Sequence, residues 1–378
     1  MRSLPGAYKG QMKILYDQQI FSFQNYGGIS RYFYELISRV GRTENEVLID
    51  GKFSNNIYLP KLKDGIDVFF SKLNLPYKNV LNFYANVFLD SSYLKSGDFD
   101  LLHATYFHPY FLNYLKGKPY VITVYDMAHE LFSKDVRGFV KKTMEYKRRA
   151  VLKANRIIAI SENTKKDLMK LYDIPKKKIE VIYLGNPLEN VKPSKLEVLP
   201  ERYLLFVGNR QGYKNFTFFL ESISPILRRD NPLFLVCAGG GPFSTSEKIF
   251  ISRLGVEKQV IQISFKNDSE LAYIYKNALV YVLPSLYEGF GLTALEAFSM
   301  GCPVVASDTS SIPEVCGKAA MYINPKDNKS IKNTVEKVIE DGKLRNDLSK
   351  LGLEQVEKFS WNKTVKETLN VYKNVLKL

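Results

Sequence analysis

The 378 residues include only three cysteines, three histidines and one tryptophan. Cys237, Cys302 and Cys316 form no Cys-x-x-Cys pair and are too few for a disulfide framework. A structural zinc and a redox dithiol are therefore not expected, and a reducing compartment fits. No apolar run approaches the length of a membrane-crossing helix. The N-terminus lacks the apolar core of a secretory signal, and MRSLPGAYKGQ reads as a loose leader before the first strand. The Gly-x-Gly-x-x-Gly dinucleotide fingerprint is missing, which argues against an NAD enzyme. Acidic residues are also in deficit, 39 against 54 Lys and Arg, a net charge of +15. Such an excess points to an anionic partner: nucleic acid, a membrane surface or a phosphorylated substrate.

Much of that charge is local. Residues 134–178 hold 15 basic and 5 acidic residues, a net of +10, and the rest of residues 1–190 is neutral. The block includes Lys141, Lys142, Lys147, Arg148, Arg149, Lys153 and Arg156, then Lys165, Lys166 and Lys170, then Lys176, Lys177 and Lys178. No nucleic-acid-binding fold signature accompanies it. It reads either as a solvated helical face or as a docking surface for anionic lipid, where each cation near the surface is worth about 1 kcal/mol.

The remaining composition, 45% apolar and 25% charged, is that of a folded protein. Short apolar runs alternate with amphipathic stretches. Strands are predicted at Met12–Asp17, Glu46–Gly51, Leu101–Tyr106, Tyr120–Asp126 and Arg156–Ser161. A second set is predicted at Arg202–Val207, Leu233–Ala238, Val260–Ser264, Leu279–Pro284, Val304–Ser307 and Met321–Asn324. Near-continuous apolar strands suit parallel sheets covered on both faces, and repeated β-α units imply two doubly wound, Rossmann-like α/β domains. The loop-like stretch Tyr183–Glu201, with three prolines, marks the boundary. Residues 1–186 would form one domain and 187–360 the other. Ligands in such sheets bind outside the carboxyl ends of the strands, so the cleft between the domains is the expected site.

The most informative segment is Pro284–Glu296, PSLYEGFGLTALE. A strand ends, Gly289 and Gly291 permit tight turns, and a helix begins near Gly291 and runs to Met300 before Gly301. A helix N-terminus is a ready phosphate site. Glu288 flanks it on one side and Glu296 lies one to two turns inside. Carboxylates repel phosphate and accept hydrogen bonds from hydroxyls. Eight helical residues span about 12 Å, so the pair suits a sugar at one end and a ribose at the other, as in a nucleoside diphosphate sugar.

This segment and the Ala297, Gly301, Pro303, Val304, Val305, Ala306, Ser307 run that follows resemble the signature of retaining glycosyltransferases of the GT-B fold, the large glycosyltransferase family 4 group. Ile312-Pro313-Glu314-Val315 also fits. The resemblance spans essentially the whole chain and is strongest from Arg202 to Pro325. It implies that Glu288 contacts donor-sugar hydroxyls, that Glu296 contacts the ribose, and that the amides of Phe290, Gly291, Leu292 and Thr293 face the diphosphate. In Phe206-Val207-Gly208-Asn209-Arg210-Gln211-Gly212-Tyr213-Lys214 it implies that Arg210 and Lys214 neutralise the departing diphosphate. Arg210 stands one place later than the family pattern, with Asn209 intervening.

The donor-binding set implied by the resemblance comprises Gly27, Gly28, Gly208, Asn209, Phe265, Gly289, Phe290, Gly291, Leu292, Thr293 and Glu296. Gly27 and Gly28 also open the first long helix, where backbone amides can approach an anion. Gly239-Gly240-Gly241-Pro242 resembles the family's structural turn. Tyr125 stands where the family has a histidine, which leaves Asp126 and His129 as candidates for the acceptor or donor-sugar pocket. With the histidines scattered and no Asp-x-Asp at a strand end, no metal and no cofactor are expected, the cations taking that place. The helix from Trp361 to residue 378 is expected to pack back on the first domain.

The reading is a retaining hexosyltransferase. It uses a GDP-linked donor such as GDP-mannose, or a UDP-sugar as the alternative. The acceptor is a hydroxyl of a surface polysaccharide or glycolipid. The expected location is cytoplasmic, peripheral on the inner face of the membrane through residues 134–178, with no nucleic-acid partner. The alternatives are a GT-B sugar-nucleotide epimerase and a non-enzymatic polyanion- or membrane-binding scaffold.

Overall fold

A computed structural model describes residues 11–67, 78–89, 91–132, 139–229 and 232–378. Residues 1–10 of the leader and residues 134–138 of the basic block lie outside the described residues. The chain divides into two units, Met1–Leu184 with Trp361–Leu378, and Gly185–Ser360.

The first unit carries a six-stranded sheet in the order β2-β1-β3-β4-β5-β6. Its strands are β1 (Lys13–Tyr16), β2 (Glu46–Ile49), β3 (Leu101–Ala104), β4 (Tyr120–Val124), β5 (Arg156–Ala159) and β6 (Ile179–Val181). The second unit carries another, in the order β12-β11-β10-β7-β8-β9. These are β7 (Tyr203–Val207), β8 (Phe234–Ala238), β9 (Val260–Ile263), β10 (Val280–Leu283), β11 (Val304–Ser307) and β12 (Ala320–Ile323). Every pairing in both sheets is parallel. The central strands β3, β4, β10 and β11 are buried at every position. Their largely apolar sequences follow from helices covering both faces.

Strand order reverses between β1 and β3 in the first sheet and between β7 and β10 in the second. Adjacent loops there leave the carboxyl edge in opposite directions and open a crevice, the usual ligand position in this architecture. Eight of the eleven predicted strands overran the observed carboxyl ends by one or two residues, because those residues turn away into these loops. Asp17, for example, leaves β1 to accept hydrogen bonds from Thr105 at the end of β3. The edge strand β6 escaped prediction because it is three residues long and follows a lysine run.

The Trp361–Leu376 helix belongs to the first unit. Trp361 packs against Tyr32, with ring centroids 6.3 Å apart. Buried Tyr372 meets His103 Nδ1 at 2.5 Å and the Tyr16 hydroxyl at 3.2 Å. His103 Nε2 lies 2.9 Å from Thr123 Oγ1. Burial holds the His103 imidazole down at about 3, so it is neutral at physiological pH. At the junction, Asn186 lies with the second unit: its N–H donates to Phe359 O at 3.1 Å and its side chain accepts from Ser299 Oγ at 2.6 Å.

Candidate functional site

The two loops at the crevice of the second sheet supply the main candidate residues. The loop after β7 contains a 3₁₀ turn, Gly212–Lys214, closed by Asn215 in the left-handed region at φ +61°. Asn215 donates to the carbonyls of Pro284 and Pro325 at 3.1 and 2.8 Å. Leu286 N–H donates to Tyr213 O at 2.7 Å. These bonds fasten the β7 loop to the β10 loop. Lys214 Nζ thereby donates to both carboxylate oxygens of Glu288, at 2.8 and 2.9 Å. Ser285 Oγ donates to the same carboxylate at 2.6 Å. Both partners of the pair are largely shielded from solvent.

The backbone beyond Glu288 is fixed by two serines. Glu288 N–H donates to Ser310 Oγ at 2.9 Å, and Ser311 Oγ contacts the carbonyls of Glu288 and Phe290 at 2.8 Å each. Gly291 caps the Leu292–Ser299 helix at φ +125°, ψ +39°, a backbone that any side chain would strain. Of the two predicted turn glycines, Gly291 has positive φ and Gly289 does not. Leu292 and Thr293 occupy the first turn, where amides have no acceptor within their own helix. Glu296, one turn further, accepts from Tyr275 Oη at 2.9 Å. Lys214, Glu288, the helix N-terminus and Glu296 are thus gathered within one unit, as a cation, a carboxylate, a helix end with free amides and a second carboxylate.

Arg210 departs from expectation. It is buried, its Nε donates to Glu247 at 2.7 Å, and its terminal nitrogens donate to the carbonyls of Gly239, Gly241 and Pro242 at 3.0–3.1 Å. Its guanidinium also stacks on Phe243, 4.8 Å from the ring centre. In this structure Arg210 is a clamp on the glycine turn after β8, not a free cation beside Lys214. A Cβ on Gly240 would sit 2.6 Å from Gly208 O, and one on Gly239 would sit 3.7 Å from the Phe265 ring. Gly208 and Phe265 therefore border the turn, while exposed Asn209 accepts from Gln211 N–H at 3.2 Å.

Two family models match the chain. "Glycosyltransferase Family 4" covers residues 26–190 and "Glycosyl transferases group 1" covers residues 189–355. An uncharacterized glycosyltransferase of Methanocaldococcus jannaschii is 30% identical over 303 residues, 74% of this chain and 76% of that protein. The chain is a family 4 glycosyltransferase. Escherichia coli O-antigen chain mannosyltransferase B is 29% identical over 232 residues, 58% of this chain and 61% of that one. Among solved structures, Anabaena HepE in complex with UDP-glucose superposes with a TM-score of 0.73 at 17% identity, covering 96% of this chain and all of that one. The fold is GT-B.

The first unit of this glycosyltransferase holds the remaining predicted residues. Gly28 opens the Gly28–Val40 helix. Gly27 is extended, so its requirement is space: a Cβ there would lie 2.6 Å from Gln24 Oε1, the atom that accepts Ser30 N–H at 3.2 Å. Asp126 Oδ1 accepts Ala128 N–H at 3.0 Å, which starts the short Ala128–Phe132 helix, and His129 is exposed on that helix. Asp126 and His129 have no hydrogen-bond link to each other. The basic block is not uniformly superficial. Lys147 is buried, donating to Asp126 O at 2.6 Å and to Glu130 at 3.1 Å, and Lys178 donates to Leu152 O at 2.6 Å.

The sequence reading did not single out Asp17. Wholly buried, it accepts from the Thr105 N–H at 2.9 Å, from Thr105 Oγ1 at 2.6 Å and from Gln19 Nε2 at 2.6 Å. Gln19 Oε1 in turn accepts His108 N–H at 2.7 Å. The group ties the end of β1 to the end of β3. An aspartate closing an apolar strand (ILYD) was its only signal. Ser285, Tyr275 and Asn215 were missed as well, because residues that support a site carry no motif. Among the described residues, no group of three His, Cys, Asp or Glu is placed to hold a metal, and no helix is long and apolar enough to cross a membrane.

Proposed function

We propose that this glycosyltransferase moves a hexose, mannose or a close relative, from a nucleoside diphosphate donor, GDP-linked by preference, to a hydroxyl of a surface glycan or glycolipid, with retention at the anomeric carbon. The observation that carries the reading is the Lys214–Glu288 pair beside the N-terminus of the Leu292–Ser299 helix, at the strand-order reversal of the second sheet. The similarity to an O-antigen chain mannosyltransferase favours mannose as the sugar.

Before donor binds, Lys214 and Glu288 neutralise each other. A diphosphate competes for Lys214, and a sugar hydroxyl then replaces the ammonium as donor to Glu288. When the bond from the anomeric carbon to the phosphate oxygen breaks, negative charge grows on that oxygen. Lys214 and the first amides of the helix stabilise it. The acceptor hydroxyl attacks from the same face and its proton passes to the departing phosphate oxygen, so no protein nucleophile is required. Glu296 accepts from the ribose hydroxyls, with Tyr275 holding its other side. Asp126 and His129 serve the acceptor or the donor sugar from the first unit. The first unit binds the acceptor, and the exposed cations Lys141, Lys142, Arg148, Arg149 and Lys153 hold the enzyme at an anionic membrane face.

A panel of GDP-, UDP- and ADP-sugars scored by the rise in unfolding temperature tests the donor, since a ligand stabilises by mass action. GDP-mannose is expected to give the largest rise. Product NMR then reads the anomeric configuration, and an inverted product would overturn the mechanism. Salt-sensitive sedimentation with phosphatidylglycerol vesicles is the expected membrane result, and salt-insensitive or absent binding would sink that part.

A further inference from the structure

The strand-order reversal of the first sheet holds a cavity of about 340 Å³. It is floored by Phe23 after β1 and by Tyr106, Phe107 and His108 after β3, and walled by Phe83 and Tyr146 from the helices Lys78–Leu89 and Phe139–Lys153. The rings support one another. Phe23 stacks on Phe83 at 4.8 Å, Phe83 meets His108 at 4.8 Å, and His108 meets Tyr146 edge-on at 4.6 Å. A hexose carries a hydroxyl on nearly every carbon, and such a wall would strip most of those hydroxyls of partners. An apolar chain has nothing to lose there.

Two further features identify the occupant. Leu81, Tyr84 and Phe88 recur at i, i+3 and i+7 on the Lys78–Leu89 helix and are exposed, Phe88 by 72% and the adjoining Leu89 by 73%. This is an apolar stripe on the outward face of a helix whose inward face is already occupied by Phe83 and Val87. The cation at the cavity is Lys142, which also lines it and lies 5.5 Å over the Tyr146 ring. Its neighbour Lys141 is exposed. Apolar stripe, aromatic cavity and lysine rim together match an amphiphile with an apolar tail and an anionic head.

We propose that this cavity seats the apolar chain of a lipid-linked acceptor whose phosphate meets Lys142, so that the first unit selects acceptors by their lipid anchor. The inference rests on the glycosyltransfer reading and names its acceptor class. Calorimetric titration of the full chain with decyl phosphate, inorganic phosphate and decyl maltoside tests it. Decyl phosphate is expected to bind at least about tenfold more tightly than inorganic phosphate. Val80→Trp, which fills the cavity from its half-buried rim, is expected to remove that preference. Lys142→Gln is expected to weaken decyl phosphate by about two- to fivefold and leave decyl maltoside unchanged. Stabilisation of the Val80→Trp variant by nucleotide should match that of the original chain, showing that the variant is folded. Equal affinity for decyl phosphate and inorganic phosphate, or a Val80→Trp variant that still prefers the decyl chain, overturns the proposal. Failure of every nucleotide to stabilise the original chain would instead overturn the donor reading and leave the decyl phosphate result standing on its own.

Discussion

Each sheet is parallel and has one point where its strand order reverses, yet the crevices there carry opposite chemistry. In the second unit the loops after β7 and β10 bring together Lys214, Glu288 and a helix N-terminus. In the first unit the loops after β1 and β3 bring together Phe23, Tyr106, Phe107 and His108 over a buried Asp17 network. The backbone topology selects where a ligand sits, and the loop residues select which ligand. A charged, pre-paired crevice suits a diphosphate, whose binding exchanges one ion pair for another. An aromatic crevice suits a partner that leaves water because it is apolar. The pairing of such sites in one chain is what a transfer between a water-soluble donor and an amphiphilic acceptor requires.

The sharpest way to break this comparison is to remove charge from the second crevice. Lys214→Met is expected to lower kcat by about 10²–10³, or about 2.7–4 kcal/mol of transition-state stabilisation, read as the single-turnover rate at saturating donor. Glu288→Gln should fall in the same range. A fall in donor affinity alone, with the rate unchanged, would reduce Lys214 to a binding residue. Val80→Trp in the first crevice should leave donor hydrolysis intact while transfer to a lipid-linked acceptor drops.

Arg210 sharpens the boundary of the charged crevice. Its Glu247 partner and three carbonyls make it part of the fold, so Arg210→Ala is expected to destabilise the second unit by about 3 kcal/mol, by analogy with other broken buried pairs. A denaturant titration measures this. A variant that keeps its stability and loses kcat would return Arg210 to the diphosphate. The sequence showed an arginine near the family's position. It could not show that the side chain is held by the carbonyls of the Gly239–Pro242 turn.

What was legible followed from periodicity and spacing. Strand runs without alternation announced parallel sheets, and the Glu288 to Glu296 interval announced a helix N-terminus between two carboxylates. What was not legible depends on side chains meeting from distant segments. The Lys214–Glu288 contact spans 74 residues and the His103–Tyr372 contact spans 269. Nor could sequence separate buried Lys147 from its exposed neighbours Arg148 and Arg149, since burial at one position of a basic helix depends on what Glu130 and Tyr172 place beneath it.

A smaller effect separates the ribose end of the donor site from its catalytic end. Glu296→Gln keeps the Tyr275 contact but weakens acceptance from ribose hydroxyls. Loss of one charged hydrogen bond is worth about 1.5–3 kcal/mol, so donor KM should rise by about ten- to a hundredfold with kcat little changed. A matching loss of kcat would mean that Glu296 acts on the reacting sugar.

The smallest effect concerns how the first unit holds its last helix. His103 is buried between Tyr372 and Thr123, and burial lowers its protonation from the ordinary 6.5 to about 3. Between those values the unfolded chain takes up a proton that the folded unit refuses. Stability is therefore full above about pH 6.5 and declines as pH falls toward 3, by at most about 1.4 kcal/mol per pH unit. Buried Asp50, raised to about 7 by desolvation, acts in the opposite sense: its folded form holds a proton that the unfolded chain releases, so it destabilises increasingly as pH rises toward 7. The two trends partly offset one another in the original chain. His103→Gln keeps a polar group between Tyr372 and Thr123 but cannot titrate. The difference in stability between the original chain and this variant cancels the Asp50 contribution, and it should shift in the variant's favour as pH falls from 7 to 5. A difference that stays constant with pH would mean that His103 takes up its proton inside the fold, and that the helix is held by apolar packing of Trp361 and Val365 without regard to charge.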